Sequence, residues 1–88
     1  MALYKISFKP SAEKDLRNLP RPIIARLKEK IEKLGAEPLP IQAVKLSTAE
    51  HLYRIRVGDY RIIYEVNERE MQVRIHYIRH RRQVYRDL

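Results

Sequence analysis

The chain has 88 residues, of which 44% are hydrophobic and 34% charged, and 19 Lys and Arg against 11 Asp and Glu give a formal net charge of +8. This length predicts one domain over residues 1–88, and the charge predicts a polyanionic partner: nucleic acid, an acidic protein or, as the least favoured of the three, a membrane surface. With no cysteine and only two glycines, disulfides, thiol nucleophiles and a glycine-rich phosphate loop are excluded. No apolar run is long enough to span a membrane and no signal peptide is recognisable, so we expect a cytoplasmic protein without membrane contact.

The chain begins with segments that predict a strand and a helix. Residues 3–9 alternate apolar and polar side chains, which is typical of a half-buried strand. Ser11 follows in a position to cap the start of a helix over residues 12–19. We therefore expect an N-terminal strand that leads directly into a short helix.

A second helix is expected to start at Pro20 and Pro22, because proline ends one helix but fits the first turn of the next. Apolar residues then recur at the spacing of one helix face; they are Ile23, Leu27, Ile31 and Leu34. Gly35 stands where a C-terminal cap belongs, and residues 36–42, with two prolines, predict a loop. The two helices are expected to form a helical hairpin.

The second half of the chain predicts an antiparallel sheet. Strands are expected over residues 51–57, 60–67 and 70–78, where side chains alternate. Two-residue turns are expected at Gly58-Asp59 and, with a weaker signal, at Glu68-Arg69. The fold class is therefore α+β: an N-terminal strand, a helical hairpin, and a C-terminal antiparallel strand meander packed on the helices.

The two predicted turns place the alternating apolar side chains of the three strands on one common face, which includes Tyr77. The opposite face then carries two cross-strand rows, which are Arg56–Arg61–His76 and Arg54–Ile63–Arg74. Like charges directly opposite each other destabilise a sheet, and the only acid on this face, Glu65, lies two rows from Arg56 and Arg61. The pattern predicts an external anion, most plausibly a phosphate backbone.

The available side chains favour phosphodiester cleavage without a metal or another cofactor. His76 and His80 have no carboxylate nearby in the sequence, so no metal site is expected. In RNA the ribose 2′-hydroxyl is an internal nucleophile, and the protein needs to supply only proton transfer and charge stabilisation. Two histidines, Tyr85 and the arginine cluster are suitable for these tasks. DNA lacks the 2′-hydroxyl, so this hypothesis predicts cleavage of RNA alone.

Two segments resemble the RelE/ParE superfamily of toxin–antitoxin toxins, and RelE most of all. They are YRIRVGDYRIIYEV at residues 53–66 and IRHRRQVYR at residues 78–86. The helical hairpin and a following Lys45-Leu46 segment also fit. This resemblance implies a metal-independent endoribonuclease that cleaves mRNA in the ribosomal A site and is silenced by an acidic RelB-like antitoxin in a hetero-oligomeric complex.

The resemblance also assigns roles to individual residues. Arg54, Arg56 and Arg61 match the strand-borne basic residues that activate the 2′-hydroxyl and hold the phosphate. The late basic residue that protonates the leaving 5′-oxygen matches Arg81, with His80 beside it, although Arg79 or Arg82 could take that place. The C-terminal tyrosine that orients the RNA matches Tyr85. Further RNA contacts are expected from basic residues elsewhere: Lys45, Arg74, His76, Arg79 and Arg82.

One departure from the family pattern concerns the general base. The family often has lysine where this chain has Arg54 and Arg56, and arginine stays protonated. His76 or His80 could serve as the base instead, or charge stabilisation could suffice. Two alternatives stay open, a ParE-like inhibitor of DNA gyrase and a non-catalytic RNA-binding module.

Overall fold

A computed structural model describes residues 3–47 and 49–80. These residues form five strands and two helices: β1 (Lys5–Phe8), α1 (Pro10–Arg17), α2 (Arg21–Ala36), β2 (Val44–Ser47), β3 (Leu52–Val57), β4 (Tyr60–Asn67) and β5 (Gln72–His80). The sheet order is β1-β5-β4-β3-β2. Neighbouring strands are antiparallel, except that β1 pairs with β5 in parallel. The predicted fold class is confirmed. The edge strand β2 was not predicted, and within the described residues no helix is long and apolar enough to cross a membrane.

The start of α1 differs from the prediction. The helix begins at Pro10, and Lys9 occupies the N-cap position without a side-chain hydrogen bond. Ser11 is therefore not the cap: its hydroxyl donates to the backbone carbonyl of His76, at 2.7 Å. Proline at the first helical position is already suited to starting a helix, which leaves Ser11 available to bind β5.

Gly35 is not the C-terminal cap of α2 but lies inside the helix, whose C-cap is Glu37. The Gly35 carbonyl accepts a hydrogen bond from the Tyr4 backbone N–H at 2.8 Å. A Cβ atom at this position would lie 3.3 Å from the Tyr4 carbonyl oxygen. The glycine is thus explained by the close approach of the chain that enters β1.

The core lies between the two helices and one face of the sheet. Its buried side chains come from both helices and from β3, β4 and β5: Ala12, Leu16, Leu27, Ile31, Leu34, Ile55, Ile62, Tyr64, Val66, Val73, Ile75 and Ile78. Tyr64 is fully buried, and its hydroxyl donates to the Pro38 carbonyl at 2.8 Å. Burial raises the pKa of this phenol above its ordinary value, and Tyr53 acts in the same direction.

Helix α1 continues the edge of the sheet where β1 ends. The Lys9 N–H donates to the Ile75 carbonyl at 2.9 Å, which is the last step of the parallel ladder. Beyond it, Ser11 binds the His76 carbonyl, and Asp15 Oδ2 accepts from the Ile78 N–H at 3.0 Å. Ser11 and Asp15 are four residues apart and therefore share one helix face. Two side chains of α1 thus satisfy the backbone groups of β5 that β1 is too short to reach.

Candidate functional site

The hairpin of β3 and β4 has the predicted register. Arg56 pairs with Arg61 across the ladder, and Ile55 pairs with Ile62. Gly58 has φ +60° in the two-residue turn, a conformation that glycine adopts without a steric cost. Because Ile55 and Ile62 point into the core, alternation places Arg56 and Arg61 on the opposite face. Two arginines therefore lie directly across from each other, as predicted.

The hairpin of β4 and β5 does not have the predicted register. Val66 pairs with Val73, not with Met71, and the turn has four residues, 68–71. The Asn67 side chain stabilises this turn by accepting a hydrogen bond from the Glu70 N–H at 2.9 Å, and Met71 adopts φ 54°. The strand is displaced by two residues relative to the prediction, and a two-residue shift keeps every side chain on its predicted face.

A β-bulge then changes the faces in the second half of β5. Tyr64 pairs with Ile75 and Ile63 pairs with Tyr77, so His76 is an extra residue on β5. After this point Ile78 enters the core with 4% exposure, whereas Tyr77 is 39% exposed. The prediction that Tyr77 lies on the apolar face is wrong. Bulges re-aim the side chains that follow them. The signal for this bulge in the sequence was the spacing of Ile75 and Ile78, which are three residues apart, whereas residues on one face of a regular strand are two or four apart.

The bulge also changes the composition of the two predicted rows. Arg61 lies opposite Arg79, not His76, and the row, which we call the arginine row, is Arg56–Arg61–Arg79. Arg56 is exposed, whereas Arg61 has only 4% exposure and is the one buried charged residue in the described part of the chain. Guanidinium groups from three neighbouring strands are thus brought to one end of the sheet, on the face without helices.

The adjacent row is also different from the prediction. Arg54 pairs with Ile63, which in turn pairs with Tyr77, and Arg74 is displaced to a third row, opposite Glu65. The row of Arg54 therefore ends in an exposed aromatic ring on the far side of Ile63, and not in a second cation. The outer face therefore combines a cationic end with an aromatic and aliphatic centre.

Internal carboxylates bind two of the predicted site residues. Asp15 Oδ2 of α1 lies 2.6 Å from Arg79 Nη1, and Glu65 Oε1 lies 2.9 Å from His76 Nε2. Asp15 was missed because it comes from a helix 64 residues earlier in the chain, for which the strand pattern holds no information. Glu65 is the only acid that these strands place on this face, as predicted, but α1 brings a second carboxylate, Asp15, to it.

Other predicted residues lie away from the arginine row. Lys45 pairs with Tyr53 and His80 pairs with Tyr60, so the register places both on the helix side of the sheet. The His80 ring meets the Tyr60 ring edge-on, with centroids 5.4 Å apart. Arg81, Arg82 and Tyr85 are outside the described residues. Within residues 3–47 and 49–80 there is no group of three or more metal-ligating side chains.

The arrangement of the outer face is suited to binding a phosphodiester. Guanidinium groups donate several hydrogen bonds in a plane and match the oxygens of a phosphate. Arg54 and Arg56 are on the same strand, two residues apart, so both lie on this face next to Arg61. The site can therefore hold a phosphate and stabilise negative charge that develops on it.

Known proteins resemble the chain over most of its length. The model of the ParE toxin of type II toxin–antitoxin systems matches residues 6–85. RelE1 of Methanocaldococcus jannaschii, provisionally named a toxin, is 36% identical over 56 residues, which are 60% of this chain and 62% of the relative, so less than two thirds of the relative is matched.

Two solved toxin–antitoxin complexes contain chains of the same fold. RelBE2 from Mycobacterium tuberculosis matches with a TM-score of 0.80 and 29% identity, over 91% of this chain and 93% of that one. The RelE–RelB complex from Pyrococcus horikoshii matches with a TM-score of 0.80 and 32% identity, over 89% and 94%. The chain therefore belongs to the RelE/ParE superfamily of type II toxins and is RelE-like.

Proposed function

We propose that this toxin is a metal-independent endoribonuclease that cleaves mRNA in the ribosomal A site, with the ribose 2′-hydroxyl as nucleophile. The observation that carries the proposal is the arginine row, together with Arg54, on the face of the sheet opposite the two helices. Cleavage passes through a phosphorane-like state with extra negative charge. Fixed guanidinium groups stabilise that state more than the ground state, which is how they lower the barrier.

Abstraction of the 2′-hydroxyl proton is assigned to a group other than the arginines of the sheet, because a guanidinium group is already protonated and cannot accept a proton. Imidazole changes its protonation state near neutral pH. His76 is a candidate base, since Glu65 lies 2.9 Å from its ring and can fix its orientation. The other candidate histidine, His80, lies on the helix side of the sheet, so His76 is the favoured base. Following the family pattern, we assign protonation of the leaving 5′-oxygen to Arg81 and orientation of the RNA to Tyr85.

The partners follow from charge and from the relatives. The structures of the Mycobacterium tuberculosis and Pyrococcus horikoshii relatives are toxin–antitoxin complexes. A net charge of +8 is suited to an acidic, RelB-like antitoxin that covers basic surface in a hetero-oligomeric complex. The proposed substrate, mRNA on the ribosome, places the activity in the cytoplasm.

The proposal is tested by adding the full chain to ribosomes that carry a defined mRNA, and mapping the cleavage ends. Arg61→Ala should reduce cleavage about 100- to 1000-fold, because one group that stabilises transition-state charge is lost. Arg69→Ala is the matched control, because Arg69 is exposed in the turn after β4. This variant should cleave the mRNA as fast as the unaltered chain. Intact mRNA with the unaltered chain would contradict the proposal.

Inhibition of DNA gyrase is the second candidate, and the match to the ParE model over residues 6–85 favours it. This function would need a protein-binding surface and no proton transfer. A supercoiling assay with purified gyrase separates the two candidates. Inhibition of supercoiling with mRNA left intact would support the ParE-like function.

A further inference from the structure

Asp15, Tyr77 and Arg79 form a connected group on the outer face, which we call the stacking group. The guanidinium carbon of Arg79 lies 4.7 Å from the centroid of the Tyr77 ring. Asp15 Oδ2 binds Arg79 Nη1 at 2.6 Å, and both side chains of this pair are about three-quarters buried. A planar cation is thereby held over an aromatic ring by a carboxylate from a different element of the fold.

The core does not account for the position of Tyr77. Its side chain is 39% exposed, while Ile75 and Ile78 on either side are buried. The bulge at His76 turns the ring away from the helices and into the row of Arg54 and Ile63. Because 39% of the residue stays exposed, burial in the core does not explain why the ring takes this position.

The chemistry of the stacking group is suited to a nucleobase. Unpaired bases in RNA stack on aromatic side chains and on guanidinium planes. Asp15 holds the Arg79 plane in place before any ligand arrives, which lowers the entropic cost of binding.

The distance from the stacking group to the arginine row is suited to a single nucleotide. Tyr77 and Arg79 are two residues apart on β5, so their rows are separated by about 7 Å along the strand. A base that stacks on Tyr77 would leave its phosphate beside Arg56 and Arg61. The base site and the phosphate site are therefore next to each other on one face of the sheet.

We propose that the stacking group binds the base of the nucleotide next to the phosphate held by the arginine row, by stacking and without reading its sequence. This inference rests on the proposed function, because the ligand is single-stranded RNA. Asp15 acts as a positioning residue that orients Arg79. Since larger bases stack more strongly, the site should favour adenine over uracil modestly.

Binding of short, non-cleavable 2′-O-methyl oligonucleotides tests the proposal independently of cleavage. Tyr77→Leu keeps an apolar side chain but loses the ring, and should weaken binding of oligo(A) roughly 5- to 150-fold, which corresponds to the 1–3 kcal/mol measured per stacked base. Tyr77→Phe keeps the ring and should bind almost normally. Equal affinities of the unaltered chain and Tyr77→Leu, with both folded, would overturn the proposal.

The ratio of the affinities for oligo(A) and oligo(U) tests the role of Asp15. Asp15→Asn keeps an oxygen for the Ile78 N–H but weakens the hold on Arg79. The ratio should fall towards one, even though the added net charge strengthens binding of both oligonucleotides. Ser11→Ala, which removes the other contact from α1 to β5, is the matched control and should leave the ratio unchanged. A normal ratio in Asp15→Asn would remove Asp15 from the site.

The outcomes distinguish this inference from the proposed function. If the unaltered chain leaves ribosome-bound mRNA intact but Tyr77→Leu loses the preference for oligo(A), the nuclease proposal fails and the base site stands. If the unaltered chain cleaves mRNA and Tyr77→Leu binds and cleaves equally well, the nuclease proposal stands and the base site fails.

Discussion

The two hairpins of the sheet share β4, yet their registers are determined by different features. The first turns at Gly58-Asp59, where a positive φ at glycine allows two residues to reverse the chain. The second uses four residues, a side-chain contact from Asn67 and a bulge at His76. The comparison shows that a tight glycine turn determines the register from local sequence. The longer second turn leaves the register to further contacts, which are the Asn67 side chain and, around the bulge, the bonds from Ser11 and Asp15 of α1 to β5.

The largest expected effect comes from the two residues that follow the bulge. Ile78→Ala should lower the free energy of unfolding by about 2–5 kcal/mol, because a buried side chain leaves a cavity. Tyr77→Ala should cost less than about 1.5 kcal/mol, since Tyr77 is partly exposed and off the core. Urea unfolding measures both. The opposite order would mean that β5 continues without a bulge.

Gly58→Ala tests the glycine turn itself. An L-residue at φ +60° costs about 1–2 kcal/mol, because its Cβ approaches the backbone. The added Cβ would also lie 3.4 Å from Arg26 Nη2, a flexible group that can move. Asp59→Ala, in the same turn, serves as the control. Equal unfolding midpoints for the two variants would show that the turn does not depend on glycine.

Tyr64 on the shared strand links stability to pH. Its pKa is raised on folding above the ordinary value of 10.0, chiefly by burial. The stabilising contribution is therefore complete below pH 10 and is lost as the pH rises above it. Tyr64→Phe should cost about 1 kcal/mol at neutral pH, since the hydrogen bond to Pro38 is lost.

Thermal unfolding from pH 8 to 11 measures this dependence. The Phe variant should decline less steeply above pH 10 than the unaltered chain. Identical slopes in that range would rule out Tyr64 as the titrating group.

The smallest expected effect concerns the turn after β4. Asn67→Ala removes the acceptor for the Glu70 N–H and should cost about 0.5–1 kcal/mol, because the hydrogen bond is exposed to water. Glu68→Ala in the same turn is the control. Chemical shifts of the β4 and β5 amides would report whether the register moves when the side chain is lost. A loss of unfolding free energy far above 1 kcal/mol would mean that this turn stabilises the hairpin of β4 and β5 more than the bulge does.

Much of the candidate site could be predicted from the sequence. Arg54, Arg56 and Arg61 are near one glycine turn, so alternation and the turn type were enough to place them together. Arg79 and Tyr77 could not be placed in this way, because one extra residue on β5 reverses the faces of all that follow. Asp15 could not be found at all from strand patterns, since its contact joins a helix to a strand 64 residues away.

The sequence by itself therefore determined the α+β class, the helical hairpin, the pairing of β3 with β4 and the basic character of the outer face. These depend on local features, namely periodicity, proline, glycine and charge, which act over a few residues. The tertiary structure alone decided the bulge, the parallel pairing of β1 with β5 and the carboxylate partners. The physical reason is that these depend on packing and backbone hydrogen bonds between segments far apart in the chain, whose energies no short stretch of sequence contains.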